Sequence, residues 1–141
     1  MSSQNLVKDL IDRGLAPVQA DMKRFNAGLH ASTAASERPS ASTLSALRSA
    51  IDHAAAAHKA VLGANQGHIR LMQGGSQALL GFLYLNQGLA ALLRGLTATG
   101  AAATRELAAA RSLLARSGSK FLEADRALGC PYGCKKPVTV G

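Results

Sequence analysis

The chain has 141 residues and a formal net charge of +8. This length fits one domain, with a core large enough to fold without added metals or disulfides. The apolar residues are mainly Ala and Leu, whereas the β-branched and aromatic residues that strands prefer are scarce. The composition therefore excludes a mainly β fold and an alternating α/β fold, and it predicts an all-α protein.

The first helical segment is predicted to have two parts. Apolar residues fall on one face from Ser3 to about Arg13, and Gly14 and Pro17 then interrupt the pattern. Beyond Pro17 the apolar residues recur at steps of three and four as far as Leu29. Because proline is best tolerated in the first turn of a helix, we predict that helix 1 is kinked or divided near Gly14 and Pro17.

A loop is predicted over residues 32–42, which are rich in Ser, Thr and Ala and include Pro39. Ser42 or Thr43 would cap the next helix by accepting a hydrogen bond from one of its free N–H groups. Apolar residues then repeat at steps of three and four up to Gly63, which predicts a second helix of about twenty residues.

The third helical segment carries a glycine at every seventh position. The five glycines are Gly67, Gly74, Gly81, Gly88 and Gly95. At about 100° per residue they form one row at the edge of a wide apolar face. Each glycine in a helix interior costs roughly 0.5–1 kcal/mol relative to alanine, so we interpret the row as a groove that seats a neighbouring helix. The methyl groups of Ala54 and Ala57, or of Ala108 and Ala110, would fit this groove, from the same chain or from a second copy.

A fourth helix is predicted after a break near Thr97 to Gly100. Its heptad positions are Leu107, Ala110, Leu114, Ser117, Phe121, Ala124 and Leu128. Gly129 stands where a left-handed C-terminal cap is expected. The four segments predict a four-helix bundle over residues 1–129, with long antiparallel helices 2 to 4 and an irregular tail over residues 130–141.

The tail contains Cys130 and Cys134 on either side of a Pro-Tyr-Gly sequence. This segment is similar to the Cys-Pro-Tyr-Cys active site of glutaredoxins, but it has an additional Gly133. It also follows a helix near the chain end, whereas a redox Cys-x-x-Cys motif opens a helix after a strand. A local disulfide or two free thiols are therefore predicted in place of an oxidoreductase site.

The sequence predicts no catalytic, cofactor-binding or metal-binding residues. The histidines are His30, His53, His58 and His68. The closest two are five positions apart, and on a helix this spacing points their side chains away from a shared metal ion. The eight acids include no Glu-x-x-His pair, and the glycines form no phosphate loop. We therefore expect a chain that is not an enzyme and takes no cofactor, and no small-molecule substrate is evident.

Residues 71–93 carry no charge and are long enough to span a bilayer. Small residues on one face also suit helix association in lipid. Polar residues within the stretch favour a water-facing amphipathic helix instead: Gln73, Ser76, Gln77, Asn86 and Gln87. The N-terminus lacks the basic start and apolar core of a secretory signal, so the chain is predicted to be cytoplasmic as synthesised. Export by a route that does not require such a signal is consistent with this N-terminus.

Residues 40–128 are similar in composition and helical pattern to the helical hairpins of small WXG-motif proteins of actinobacterial type VII secretion. The similarity lies in two long Ala/Leu-rich helices, although the chain has no Trp-x-Gly. It implies a protein that pairs with partners, is not an enzyme and lacks a cleavable signal. Phe121 and Asp125 in Phe-Leu-Glu-Ala-Asp resemble the aromatic-x-x-x-acid export signal of that pathway, although Phe121 also lies on the apolar seam of helix 4.

The sequence thus predicts a structural or protein-interaction bundle that assembles through the glycine groove, with a protein partner or a second copy. A membrane-associated or membrane-inserting protein that uses residues 71–93 is one alternative. A nucleic-acid-associated or virion structural protein is another, since the net charge of +8 attracts anions. Nucleic acid is not favoured, because the longest basic runs are only Lys23-Arg24 and Lys135-Lys136.

Overall fold

The computed structural model describes residues 3–31, 38–66 and 73–134. In these ranges the chain forms four helices and no strand: α1 Ser3–Ala31, α2 Ala41–Gln66, α3 Gly75–Thr97 and α4 Gly100–Ala127. Consecutive helices pack against each other, with α2 between α1 and α3, and with α4 against α3. The prediction of an all-α four-helix bundle is confirmed.

Helix α1 is continuous through Gly14 and Pro17 and is not divided there. Its buried residues include Val7, Ile11 and Val18, whose spacing keeps one apolar face on the core across both interruptions. Packing of this face therefore holds together a helix that local propensity would divide.

The N-terminal cap of α2 is Ser40, and not Ser42 or Thr43 as predicted. The Oγ of Ser40 accepts a hydrogen bond from the backbone N–H of Thr43 at 3.2 Å. The side chain of Thr43 is buried and lies close to Gly28 of α1, so it packs against α1, and Ser40 makes the cap bond in its place. Helix α2 continues through Gly63 to Gln66.

Helix α3 begins at Gly75, later in the sequence than the row of glycines had predicted. Gly74 has a φ of +80° and precedes the helix as its N-cap, so it is not an interior helical residue. Gly67 lies outside the described residues. Only Ala98 and Thr99 separate α3 from α4, and so short a connection makes the two helices antiparallel neighbours.

Helix α4 ends in a Schellman motif. The N–H of Cys130 donates to the carbonyl of Asp125 at 2.8 Å, and that of Gly129 donates to the carbonyl of Arg126 at 3.2 Å. Gly129 has a φ of +85°, so it adopts the left-handed conformation that was predicted for it. The chain therefore turns back towards the bundle at this point.

All four helices contribute to one hydrophobic core. At its centre Phe82 of α3 and Phe121 of α4 meet edge to face, with ring centroids 4.9 Å apart. This arrangement is favoured by the quadrupoles of the two rings. Leu128, directly after α4, also belongs to the core, so the packed part of the chain extends to the end of the fourth helix.

Candidate functional site

The glycine row faces α4, and each glycine lies against a large side chain. The pairs are Gly74 with Leu128, Gly81 with Phe121, Gly88 with Leu114 and Gly95 with Leu107. A Cβ atom added to Gly81 would lie 2.8 Å from the Phe121 ring. A Cβ atom at Gly95 would lie 2.6 Å from the Leu107 side chain. Both distances are too short for real contacts, so these positions have room for hydrogen only.

The partners of the glycines recur at every seventh residue of α4 and so form one heptad row. The paired residues lie at equal sequence distances on the two sides of position 101. This is the register expected of two antiparallel helices joined by a short connection. A repeated pairing of glycine with a large residue therefore fixes how α3 and α4 align.

The prediction that alanine methyl groups occupy the glycine groove is wrong. Ala57 lies against Gly14 of α1 instead, and Ala108 on α4 is exposed. A methyl group would leave space beside a glycine, whereas a leucine or phenylalanine side chain fills that space and gains dispersion contacts. The occupant comes from the same chain, so the groove is closed in the folded molecule.

One buried hydrogen bond crosses the same interface. The Oγ of Ser117 donates to the backbone carbonyl of Gly81 at 2.7 Å, and Ser117 is buried. Because Gly81 has no side chain, the backbone of α3 is accessible to a short serine side chain on α4. The bond satisfies a hydroxyl group that would otherwise be buried without a partner.

Helix α3 is long and apolar enough to cross a membrane, and it is the one helix in the described ranges that meets those two criteria. It is also a core helix, since Ala78, Phe82, Leu85 and Leu89 are buried within the bundle. The central helix of a packed bundle can have the same length and apolar composition as a membrane-spanning helix. These two criteria therefore do not distinguish a core helix from a membrane span.

A polar cluster joins α1 to α2. Asp21 is only 4% exposed. It accepts hydrogen bonds from Arg24 and from the Nδ1 of His53, the latter at 2.6 Å. Burial alone would raise the pKa of Asp21, but the hydrogen bonds from His53 and Arg24 outweigh it and hold that pKa below its ordinary value. No local sequence pattern indicates this contact, because its two residues lie on different helices.

Cys130 and Cys134 form a disulfide within residues 129–134, which we name the C-terminal turn. Asp125 is fully buried. Its carboxylate accepts hydrogen bonds from the N–H of Tyr132 at 2.8 Å and from that of Cys134 at 2.7 Å. Phe121 is buried as well. Both residues of the proposed export signal thus have structural contacts, and their role in export stays a prediction.

The C-terminal turn also contacts α1 through Tyr132. Its hydroxyl group donates to the carboxylate of Asp12 at 2.5 Å and approaches the carbonyl of Lys8 at 3.3 Å. The Lys8 ammonium lies 5.4 Å from the centre of the Tyr132 ring. Burial and the neighbouring carboxylate of Asp12 raise the pKa of Tyr132 above its ordinary value.

The side of α4 that faces away from α3 carries basic residues. Arg105 and Arg116 are exposed, and the Arg116 guanidinium lies 5.9 Å from the centre of the Tyr84 ring. A shallow groove of about 410 Å³ lies at the edge of this side, where α4 meets Tyr84 of α3. Its lining residues are Tyr84, Ser112, Ala115, Arg116, Ser119, Lys120 and Glu123. The groove therefore combines cations, hydroxyl groups and one aromatic face.

Within residues 3–31, 38–66 and 73–134, no three His, Cys, Asp or Glu side chains are placed to share a metal ion. Of the four histidines, His53 contacts Asp21 and His68 lies outside the described residues. No protein-family model, curated protein or solved structure matches this chain.

Proposed function

We propose that this chain is a non-enzymatic protein-interaction bundle whose partner binds the outer face of α4. One observation carries the proposal: among the helices of the described residues, α4 alone packs against a single other helix, α3. Since the glycine groove is already filled by α4, the free surface is the opposite side of α4. The groove then serves to hold α4 firmly while it presents that side.

The outer face of α4 alternates small residues with cations. Its exposed small residues are Ala101, Ala102, Ala108, Ala109, Ser112, Ala115 and Ser119. Small side chains let a second helix approach closely, and Arg105 and Arg116 would attract a partner of opposite charge. An acidic helix of another protein fits both properties.

A second copy of this chain fits the outer face less well. The acids of α1 are already paired internally, Asp9 with Arg13 and Asp12 with Lys8. The α1 helix of a copy would therefore offer little free negative charge to α4. Pairing with a different protein through helices is also what the resemblance to WXG-motif proteins implies, and export without a cleavable signal belongs to the same proposal.

An acidic protein is favoured over nucleic acid. Acids interrupt the basic residues of this region, since Glu123 pairs with Lys120 and Glu106 pairs with Arg94. Phosphate backbones are bound best by a stripe of cations without such neighbours. Interspersed charges of both signs suit the more specific charge pattern of a protein surface.

The test is photo-crosslinking in an extract of the producing cells. A photoreactive amino acid at Ser119 on the outer face should give one discrete protein adduct, and the same group at exposed Ser45 of α2 should not. The Arg105→Glu, Arg116→Glu and Lys120→Glu triple variant should lose the adduct. A triple variant with the same change in charge on α1 and α2 should keep it: Lys23→Glu, Arg48→Glu and Lys59→Glu.

Persistence of the adduct in the outer-face triple variant would contradict the proposal. Steep salt-dependent retention of duplex DNA, lost in the same variant, would reassign the face to nucleic acid. Cosedimentation with liposomes, together with a need for detergent to keep the purified chain in solution, would favour the membrane alternative.

A further inference from the structure

The C-terminal turn holds two cysteines in an unusual backbone conformation. Cys130 has a φ of +63° and Cys134 a φ of +55°, both in the left-handed region. Residues with a Cβ atom rarely adopt this region, because the Cβ atom crowds the neighbouring carbonyl. The same two residues are joined by the disulfide, which is thus a covalent constraint on the conformation of the turn.

The turn spans a gap between two helices. In the described ranges α1 and α4 make no close backbone contact with each other. Tyr132 bridges them: its N–H bonds to Asp125 of α4, and its hydroxyl group bonds to Asp12 of α1. The position of Tyr132 therefore depends on a turn that the disulfide constrains.

We propose that the Cys130–Cys134 disulfide is a redox-modification site, and that its reduction by a dithiol releases the C-terminal turn from α1. This inference is independent of partner binding at α4. Cys130 is exposed, so an incoming thiolate can reach its sulfur.

The reaction is a two-step thiol–disulfide exchange. A thiolate of the dithiol attacks the sulfur of Cys130, the bond between the two protein sulfurs breaks, and Cys134 leaves as a thiolate that takes up a proton. The second thiol of the reductant, as a thiolate, then attacks the mixed disulfide, and Cys130 is released and protonated. The protein gains two electrons and two protons, and the dithiol is oxidised to a disulfide.

Reduction changes the contacts of a buried carboxylate. Without the bridge, Cys130 and Cys134 relax towards negative φ, which moves the N–H groups of Tyr132 and Cys134 away from Asp125. A fully buried carboxylate that loses two hydrogen-bond donors is unfavourable, so the end of α4 loosens with the turn. Tyr132 then leaves Asp12, and a chemical change at an exposed sulfur reaches α1.

The experiment uses the full chain with Tyr84→Phe, in which Tyr132 is the only tyrosine and no tryptophan is present. Amide hydrogen exchange and tyrosine emission are measured before and after treatment with dithiothreitol. We expect reduction to remove the protection of the Tyr132 and Cys134 amides and to change the emission of Tyr132. The far-UV circular dichroism should stay helical, and reoxidation should restore both signals.

Two variants define the mechanism. The Cys130→Ser and Cys134→Ser double variant should resemble the reduced protein and should not respond to dithiothreitol. Tyr132→Phe in the wild-type background should keep the disulfide and the protected amides, because its backbone N–H still reaches Asp125.

Three results would overturn the proposal. The first is a disulfide that stays closed in the folded protein, shown by no alkylation of its cysteines after dithiothreitol treatment. The second is complete alkylation with unchanged exchange and emission. The third is loss of helical circular dichroism on reduction, which would make the bridge a general support of the fold instead of a local constraint. Because wild-type protein is reduced chemically, these outcomes do not depend on the folding of the serine variant.

Discussion

The α1–α2 and α3–α4 pairs are both helical hairpins, but different features align their helices. Between α3 and α4, glycines of one helix meet leucine or phenylalanine of the other at every seventh residue. Between α1 and α2, a buried carboxylate, Asp21, bonds to His53 at one level of the interface. The α3–α4 pair is aligned by a difference in size at every seventh residue, and the α1–α2 pair by a polar contact together with two glycine contacts, Gly14 with Ala57 and Gly28 with Thr43.

This difference shows how alanine-rich helices acquire a unique alignment. Alanine positions are nearly interchangeable, so an interface of alanines tolerates a slip along the helix axis. Repeated pairs such as Gly88 with Leu114 penalise a slip at every level, because a large residue would then meet another side chain. The contact of buried Asp21 with the exposed His53 penalises a slip at one level, because Asp21 would lose this partner.

The largest expected effect comes from filling the glycine row. In the Gly81→Leu and Gly88→Leu double variant, each added side chain must enter space where its Cβ atom alone would lie 2.8 Å from α4. Overpacking costs about 1–3 kcal/mol per site. The free energy of unfolding should fall by several kcal/mol, or the chain should fail to fold. Urea unfolding followed by circular dichroism measures this change.

Gly63→Leu is the matched control for the double variant. Gly63 lies inside α2, and a Cβ atom there would meet nothing within 4 Å. The control should keep or slightly raise its melting temperature, because leucine is a better helix former than glycine. An unchanged melting temperature and oligomeric state in the double variant would mean that close packing at the glycine row is unimportant.

The polar contact between α1 and α2 should have a smaller effect that depends on pH. The folded-state pKa of Asp21 lies below its ordinary value of 3.8. Its charged form therefore stabilises the fold above that value, and the contribution is lost as the pH falls through the folded-state pKa. Asp21→Asn should lower the free energy of unfolding at neutral pH by about 1–3 kcal/mol.

Urea unfolding at a series of pH values tests the Asp21 prediction. The difference between wild type and Asp21→Asn should begin to narrow as the pH falls below 3.8, where Asp21 is protonated in the unfolded state, and should disappear below the folded-state pKa, where it is neutral in both states. A difference that stays constant down to strongly acidic pH would show that the charge of Asp21 does not stabilise the α1–α2 pair.

The same contrast explains what the sequence could predict. Heptad periodicity identified the face of α4 that includes Leu107, Leu114 and Phe121, because periodicity reports which side of a helix is apolar. It did not identify which helix covers the glycines. The short connection at Ala98 and Thr99 was the available signal, since it makes residues equidistant from position 101 face each other.

The polar contacts had no comparable signal. The bond of His53 to Asp21 joins residues on separate helices, and that of Tyr132 to Asp12 joins residues near opposite ends of the chain. Neither spacing is periodic, so both contacts are consequences of packing that local patterns do not encode. The sequence predicted an irregular tail from Cys130 onwards, whereas the structure has a turn there that Asp125 anchors. This turn is also a consequence of packing that local patterns do not encode.

A moderate effect is expected from Ser117→Ala, which removes the hydrogen bond to the Gly81 carbonyl. That carbonyl keeps its bond within α3, and alanine is a better helix former than serine, so the net loss should be about 0.5–1 kcal/mol. Ser119→Ala on the outer face of α4 is the control and should be neutral or slightly stabilising. Equal stabilities in the two variants would show that the buried bond adds nothing to the α3–α4 pair.

The smallest expected effect separates glycine as a helix residue from glycine as a packing residue. Gly63→Ala should raise the free energy of unfolding by about 0.5–1 kcal/mol, because helix propensity improves and the space is open. Gly88→Ala gains the same propensity, but its Cβ atom would lie 2.8 Å from the Leu114 side chain and 3.2 Å from the Leu114 backbone nitrogen. The backbone of α4 cannot move as a flexible side chain does, so Gly88→Ala should be destabilising. Thermal unfolding of the two variants should give shifts of opposite sign, and shifts of the same sign would mean that the spacing of α3 and α4 adapts freely to an added methyl group.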